Sequence, residues 1–228
     1  MKTVKKLIIC FFSASLFLPA IAQETELQDL LRRGGIYPGF IITLQGDTVE
    51  GFMLNINLWL NQMMTYYYSD STDFKGRVKY KAKDIKAYQV GNRYYESMKY
   101  SFLNSSKKQN FIQKKYDGPI SMYIWYYNPD QPNFMDKDLT LKELGSAFMF
   151  DEEELHTNLY GMKANGEFTN LTHWKFLIKF AKSMSAYVAD DAVLADKIRN
   201  KTEGYVGLDR DIVRILLEYN ERKMDAEF

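Results

Sequence analysis

GFIITLQGDTVEGFML, residues 39–54, sets two apolar runs on either side of Gly46-Asp47. A Gly-Asp pair suits a two-residue type II′ turn, so the stretch reads as a β-hairpin. With those two residues as the turn, Leu44 is expected opposite Val49, Ile42 opposite Gly51 and Phe40 opposite Met53. That register puts Phe40, Ile42, Leu44, Val49 and Met53 on one face, and Thr43 and Glu50 on the other with Ile41 and Phe52. An isolated hairpin is marginal in water, so its apolar face demands further strands or a covering helix.

Both follow along the chain. Asn55–Asn61 reads as a loop with apolar passengers, and strands are predicted at Met63–Tyr68, Arg77–Ala82, Asp84–Val90 and Tyr94–Tyr100. Gly91-Asn92 is a hairpin turn between the last two. Phe111–Tyr116 and Ile120–Tyr127 flank Asp117-Gly118, but Pro119 lacks the N–H that closes a tight turn, so a wider loop is expected there. Two more strands are predicted at Ser146–Phe150 and Leu159–Lys163, with Asn165-Gly166 turning the second towards Glu167–Asn170.

The period then changes from two to 3.6. In His173–Val188 the stripe is Trp174, Leu177, Ile178, Ala181 and Met184, with Thr172 as N-cap. Asp190 or Asp191 caps a short helix with Leu194 and Ile198. Leu208–Arg222 carries Ile212, Ile215, Leu216 and Tyr219 at helical spacing. Strands first and helices last make an α+β chain, either an antiparallel sheet or a partly closed barrel of hairpins, with about three C-terminal helices packed on it. The expected layout is a signal peptide at 1–22, a leader at 23–38 and a single domain at 39–228, β-rich to residue 170 and helical from 171. The helical tail is too short to promise its own core and is expected to cover the face begun by the first hairpin.

The N-terminus addresses the compartment. Lys2, Lys5 and Lys6 precede an apolar Leu7–Leu18, and Ala20-Ile21-Ala22 offers a cleavage site before Gln23. This is the pattern of an export signal, and the run falls short of the roughly 20 apolar residues that span a bilayer. Cys10 follows Ile8-Ile9 and sits early in the apolar run, which argues against lipidation. Cleavage would remove the chain's one cysteine, leaving neither disulfide nor thiol chemistry. Of 30 Lys and Arg, three lie in the signal peptide, so 27 face 29 Asp and Glu, a net charge of −2. That balance gives no overall field for nucleic acid or an anionic surface, and no membrane span is expected after cleavage.

The segments GFIITLQGDTVEGF, DIKAYQVGNRYYES, FIQKKYDGPISMY, LADKIRNK and DIVRILLEYN, taken in that order, resemble a group of exported Bacteroidetes proteins with no established activity. The resemblance implies export and a β-rich chain with C-terminal helices, and it carries no catalytic residue across. Members of that group often have a Cys-Pro before the helix matching Leu194–Ile198. Here Asp190-Asp191-Ala192-Val193 stands there instead, so no role of that cysteine transfers.

Chemistry-bearing constellations are few. His156 follows Asp151-Glu152-Glu153-Glu154, a carboxylate–imidazole set that suits zinc or manganese. No second histidine stands at ligand spacing, so the run reads as an acidic, solvated turn entering a strand. Asp130, Asp136 and Asp138 lack the spacing of a calcium loop. His173 reads as a helix-surface residue. No metalloprotease, nucleophile-elbow or phosphate-loop motif occurs. The binding candidates are Tyr123, Trp125 and Tyr127, which alternation places on one face of their strand, with Met122, Ile124 and Tyr126 on the other. If only the second face is core, the first is a flat aromatic strip suited to sugar rings; if both are buried, it is core. We expect a non-enzymatic exported binding or envelope-assembly module, its partner a glycan or an envelope protein, with no cofactor or metal. The alternatives are a carbohydrate-binding module using the strip, or a hydrolase with paired carboxylates such as Glu152 and Glu154 or Asp136 and Asp138.

Overall fold

In the computed structural model, which describes residues 35–73, 76–99, 109–127, 155–205 and 209–225, the opening stretch is a hairpin with a different register. Strands β1 (Ile36–Thr43) and β2 (Thr48–Leu54) pair with Phe40 opposite Glu50 and Ile41 opposite Val49. The cause is the loop. Gly46 N–H donates to the Thr43 carbonyl at 3.0 Å and Thr43 N–H to the Asp47 carbonyl at 2.9 Å, with Gly46 at φ +106°. Leu44, Gln45 and Gly46 thus form a three-residue loop ending in a left-handed glycine, not a two-residue turn. A shift of that kind swaps faces. Ile41 and Met53 are buried together, Leu44 and Val49 are exposed, and Phe40 and Ile42 lie across the sheet from Met53.

The remaining strands are β3 (Met64–Tyr68), β4 (Val78–Lys81), β5 (Ile85–Val90), β6 (Arg93–Lys99), β7 (Gln109–Tyr116), β8 (Ile120–Tyr127), β9 (His156–Lys163) and β10 (Phe168–Asn170). They form one open antiparallel sheet in the order β10-β9-β8-β7-β6-β5-β1-β2-β3-β4. Its edges are short, four residues in β4 and three in β10, which limits pairing with other chains. The predicted strand Ser146–Phe150 lies outside the described residues.

The helices are α1 (Trp174–Ile178), α2 (Phe180–Tyr187), α3 (Ala192–Arg199) and α4 (Asp209–Asp225), making an α+β fold. Phe180, Met184, Leu194, Ile198, Ile212, Ile215 and Leu216 pack on Ile120 and Met122 of β8 and on Leu159 of β9. The helices therefore cover the β8–β9 end of the sheet, not the first hairpin. Ile41 and Met53 share a separate core with Tyr88, Tyr95 and Phe111. Over it lies the loop after β2, where the Tyr88 hydroxyl donates to the Asn61 carbonyl. Ile56, Trp59 and Leu60 of that loop are buried with Met64 and Tyr66.

Strand β8 is gripped at both ends by side-chain amides. Ile120 N–H donates to Asn220 Oδ1 at 2.7 Å, and Asn220 Nδ2 donates to the Ile120 carbonyl at 2.9 Å. At the far end, Tyr126 N–H donates to Gln62 Oε1 and Gln62 Nε2 to the Tyr126 carbonyl, both at 2.8 Å. Each amide satisfies two backbone groups that burial would otherwise strand.

Candidate functional site

Three places could carry function, and the first is the aromatic strand. In β8, Tyr123 lies opposite Tyr160 of β9, Trp125 opposite Asn158 and Tyr127 opposite His156. Tyr123 and Trp125 are fully buried with Ile112 and Tyr160, and Tyr127 is half-buried at their margin. A platform for sugar rings needs exposed ring faces, and two of these three rings have none. The other face of β8 is buried under the helices, so the strand is core on both sides.

The Tyr123 hydroxyl serves a polar network. It donates to Glu96 Oε2 at 2.6 Å. Lys114 Nζ lies 2.7 Å from Glu96 and 3.1 Å from Asp117, whose carboxylate also accepts from Ser121 at 2.9 Å. The ammonium stands 5.8 Å and 5.7 Å from the ring centres of Tyr94 and Tyr123. Burial works against the Lys114 charge, but hydrogen bonds to Glu96 and Asp117 outweigh it and hold its pKa above the ordinary lysine value. Burial, then the bond to Glu96, pushes the Tyr123 hydroxyl far up. A nucleophilic or basic lysine needs the opposite shift. This network fixes charges in place, and its role is structural.

The second place is a shallow concavity of about 540 Å³ between α3 and the end of α4, lined by Asp190, Asp191, Ala192, Val193, Arg222, Lys223 and Asp225. Arg222 grips Asp191 with two N–H donors, Nε at 2.6 Å and Nη2 at 3.1 Å. Asp191 also caps α3, accepting from Leu194 N–H at 3.0 Å. Those hydrogen bonds, the one from Arg222 above all, hold its carboxyl below the usual range. Lys223 and the Tyr219 hydroxyl reach Asp190 at 2.8 and 2.6 Å. Four of the five charged groups lining the hollow answer one another, so the cluster ties two helices together. Among the described residues, no three or more His, Asp or Glu side chains gather in a way that would hold a metal ion. The acidic run before His156, and Asp130, Asp136 and Asp138, fall outside the described residues, as do Glu152 and Glu154.

The third place was not legible in the sequence. His173–Val188 is not one helix: Lys179, at φ −115° and ψ 37°, breaks it into α1 and α2. Each half then has its own phase. Phe180, Met184, Tyr187 and Val188 face the core at i, i+4, i+7 and i+8, a cleaner stripe than the one predicted. In α1, Phe176 and Leu177 pack inward, which turns Trp174 and Ile178 out to solvent at 60% and 71% exposure. His173, not Thr172, caps α1, its Nδ1 accepting from Lys175 N–H at 3.2 Å. The Thr172 hydroxyl instead accepts from Leu159 N–H at 3.0 Å. Lys175, Lys179 and Lys182 are exposed around the two apolar side chains, and Lys175 Nζ sits 5.5 Å from the Trp174 ring centre. The stripe at Phe180, Met184, Tyr187 and Val188 was the signal that could have separated the two phases. No protein-family model matches the chain, and no curated protein and no solved structure matches it either.

Proposed function

We propose that this is an exported, non-enzymatic binding or envelope-assembly protein, and that the corner carrying Trp174 and Ile178 is its recognition surface. The observation that carries the reading is the contrast among the three tryptophans. Trp59 and Trp125 are 2% and 0% exposed, whereas Trp174 is 60% exposed beside an Ile178 that is 71% exposed. Large apolar side chains grouped on a surface and rimmed by polar ones mark contact sites. Export rests on the Lys2–Lys6 cluster, the apolar run Leu7–Leu18 and the Ala20-Ile21-Ala22 site.

Fractionation tests both halves. The mature protein is expected to begin at Gln23 and to be recovered with the cell envelope. The double variant Trp174→Ala/Ile178→Ala should leave the envelope fraction while melting like the wild type. Retention of Met1–Ala22 in the mature protein would overturn export. Unchanged envelope recovery of the double variant would overturn the assignment of the corner. A hydrolase activity that survives to purity would overturn the non-enzymatic reading.

A further inference from the structure

We infer that the Trp174–Ile178 corner docks the protein peripherally on an anionic phospholipid surface. The inference rests on the reading of this corner as the recognition surface and names its partner class. Whole-chain charge is nearly balanced, yet its distribution is not. From Leu171 to Ala189 the chain contains Lys175, Lys179 and Lys182 and no Asp or Glu. Several lysines elsewhere are answered: Lys114 by Glu96 and Asp117, Lys163 by Glu167, Lys197 by Glu218 and Lys223 by Asp190. Among the described residues no ion pair engages Lys175, Lys179 or Lys182. The corner therefore presents uncompensated positive charge around two exposed apolar side chains.

The arrangement fits a headgroup layer. Trp174 and Ile178 are one helical turn apart and share a side of α1. An indole favours the interface between hydrocarbon and water, and lysine stems lie along apolar surface while their ammonium groups reach for phosphate. A stable protein–protein contact needs roughly 800 Å² on each partner, more than two side chains and their lysine rim supply. Reversible surface binding needs only a small apolar insertion reinforced by cations. Phe176 and Leu177, packed in the core, hold α1 so that the outward pair is already displayed.

The test is co-sedimentation of the purified protein with vesicles of equal parts phosphatidylglycerol and phosphatidylcholine, against phosphatidylcholine alone. Binding to the anionic vesicles and its loss on raising salt are expected. Each Lys→Gln change at Lys175, Lys179 or Lys182 should weaken binding roughly fivefold, and the triple variant about a hundredfold. Trp174→Ala should weaken it by about tenfold or more. Trp174 is the exposed tryptophan, so a blue shift of fluorescence on anionic vesicles should vanish in Trp174→Ala. These side chains are exposed, and melting should not change. Equal binding to both vesicles, or binding indifferent to Trp174→Ala, overturns the inference. Should the double variant leave the envelope fraction while the wild type ignores anionic vesicles, the lipid assignment falls and the corner as a recognition surface stands. Should neither effect appear, both fall.

Discussion

Replacing Asn220 by alanine should be among the costliest single changes in the molecule that leave its apolar core untouched. The side chain is fully buried and engages both backbone groups of Ile120, at 2.7 and 2.9 Å. Alanine strands an N–H and a C=O at the start of β8, each costing about 1–3 kcal/mol when buried without a partner. Alanine's better helix propensity returns roughly 0.5 kcal/mol. The net expectation is a loss of about 1.5–5.5 kcal/mol, which for a chain of this size lowers Tm by about 3–20 °C. The neighbouring Glu221→Ala, on the exposed side of α4, should change stability by less than about 0.5 kcal/mol. Guanidinium unfolding of both variants reads the difference, and hydrogen exchange at the Ile120 amide reports the broken clamp directly. An Asn220→Ala protein within about 0.5 kcal/mol of wild type, with Ile120 protection unchanged, would refute the argument that this amide holds the strand.

Four further outcomes are expected. Gln62→Ala should cost about 2–6 kcal/mol, because it strands the backbone of Tyr126 in the same way; coincident unfolding seen by far-UV dichroism and by tyrosine fluorescence would show one cooperative unit spanning both clamps. Gly39→Ala would put a Cβ only 2.0 Å from the Gln89 carbonyl oxygen, so β1 and β5 must part, and a denaturation midpoint should show a loss of about 1–3 kcal/mol or more. The Asp191 carboxyl titrates below its ordinary value in the folded state, so its contribution is full above the unfolded value of about 3.9 and is lost as pH falls through the lowered folded value; melting across that acid range should fall less steeply in Asp191→Asn. Ile215→Asp, or truncation after Asn170, should give an aggregating or unfolded chain, because Ile215 is fully buried between the helices and the sheet; a soluble truncated protein with an unchanged melting transition would make the helices a separate module.

Some of this architecture was written plainly in the sequence. Ile212, Ile215, Leu216 and Tyr219 are all buried, because helical spacing on a polar background leaves one way to face a core. Of the two cap candidates, Asp190 and Asp191, it is Asp191 that caps α3. The first hairpin misled because glycine admits two roles. Gly46 can open a two-residue turn or close a three-residue loop, and the flanking apolar residues suit both. The loop Ala164-Asn165-Gly166 shows the same bonds, Gly166 N–H to the Lys163 carbonyl at 2.9 Å and Lys163 N–H to the Glu167 carbonyl at 3.0 Å. Alternation placed Tyr123 and Trp125 on one face correctly, but exposure depends on what lies across that face, which no local pattern records. Asn220 had a signal, since it continues the Leu216 side of α4 by one turn. Gln62 had none, because its partner Tyr126 is remote in sequence and offers backbone, not a side chain.

The clamps also explain how an exposed corner can be held firmly. Pairing of β7 with β8 runs from Gln113 opposite Ile124 towards the hairpin loop and no further. Ile120 and Tyr126 have the same parity in an antiparallel strand, so their N–H and C=O groups point to the same edge of β8, the one facing β7. Where β7 does not supply partners, Asn220 and Gln62 do. Gln113 joins in, its Oε1 accepting from the Tyr126 hydroxyl at 3.0 Å. Strand β8 can therefore diverge from β7 without leaving backbone groups unpaired, and its apolar side chains Ile120 and Met122 are free to receive the helices. On that seat α2 sets Phe180 and Met184, and past the break at Lys179 α1 is anchored through Phe176 and Leu177. A one-turn helix has too few hydrogen bonds to persist alone, so the display of Trp174 and Ile178 depends on the packing beneath it. Binding then orders little that is not ordered already, which favours even a small contact. On this argument Phe176→Ala should weaken vesicle binding without touching a lipid-facing residue, while Trp174→Ala weakens it without altering the melting temperature.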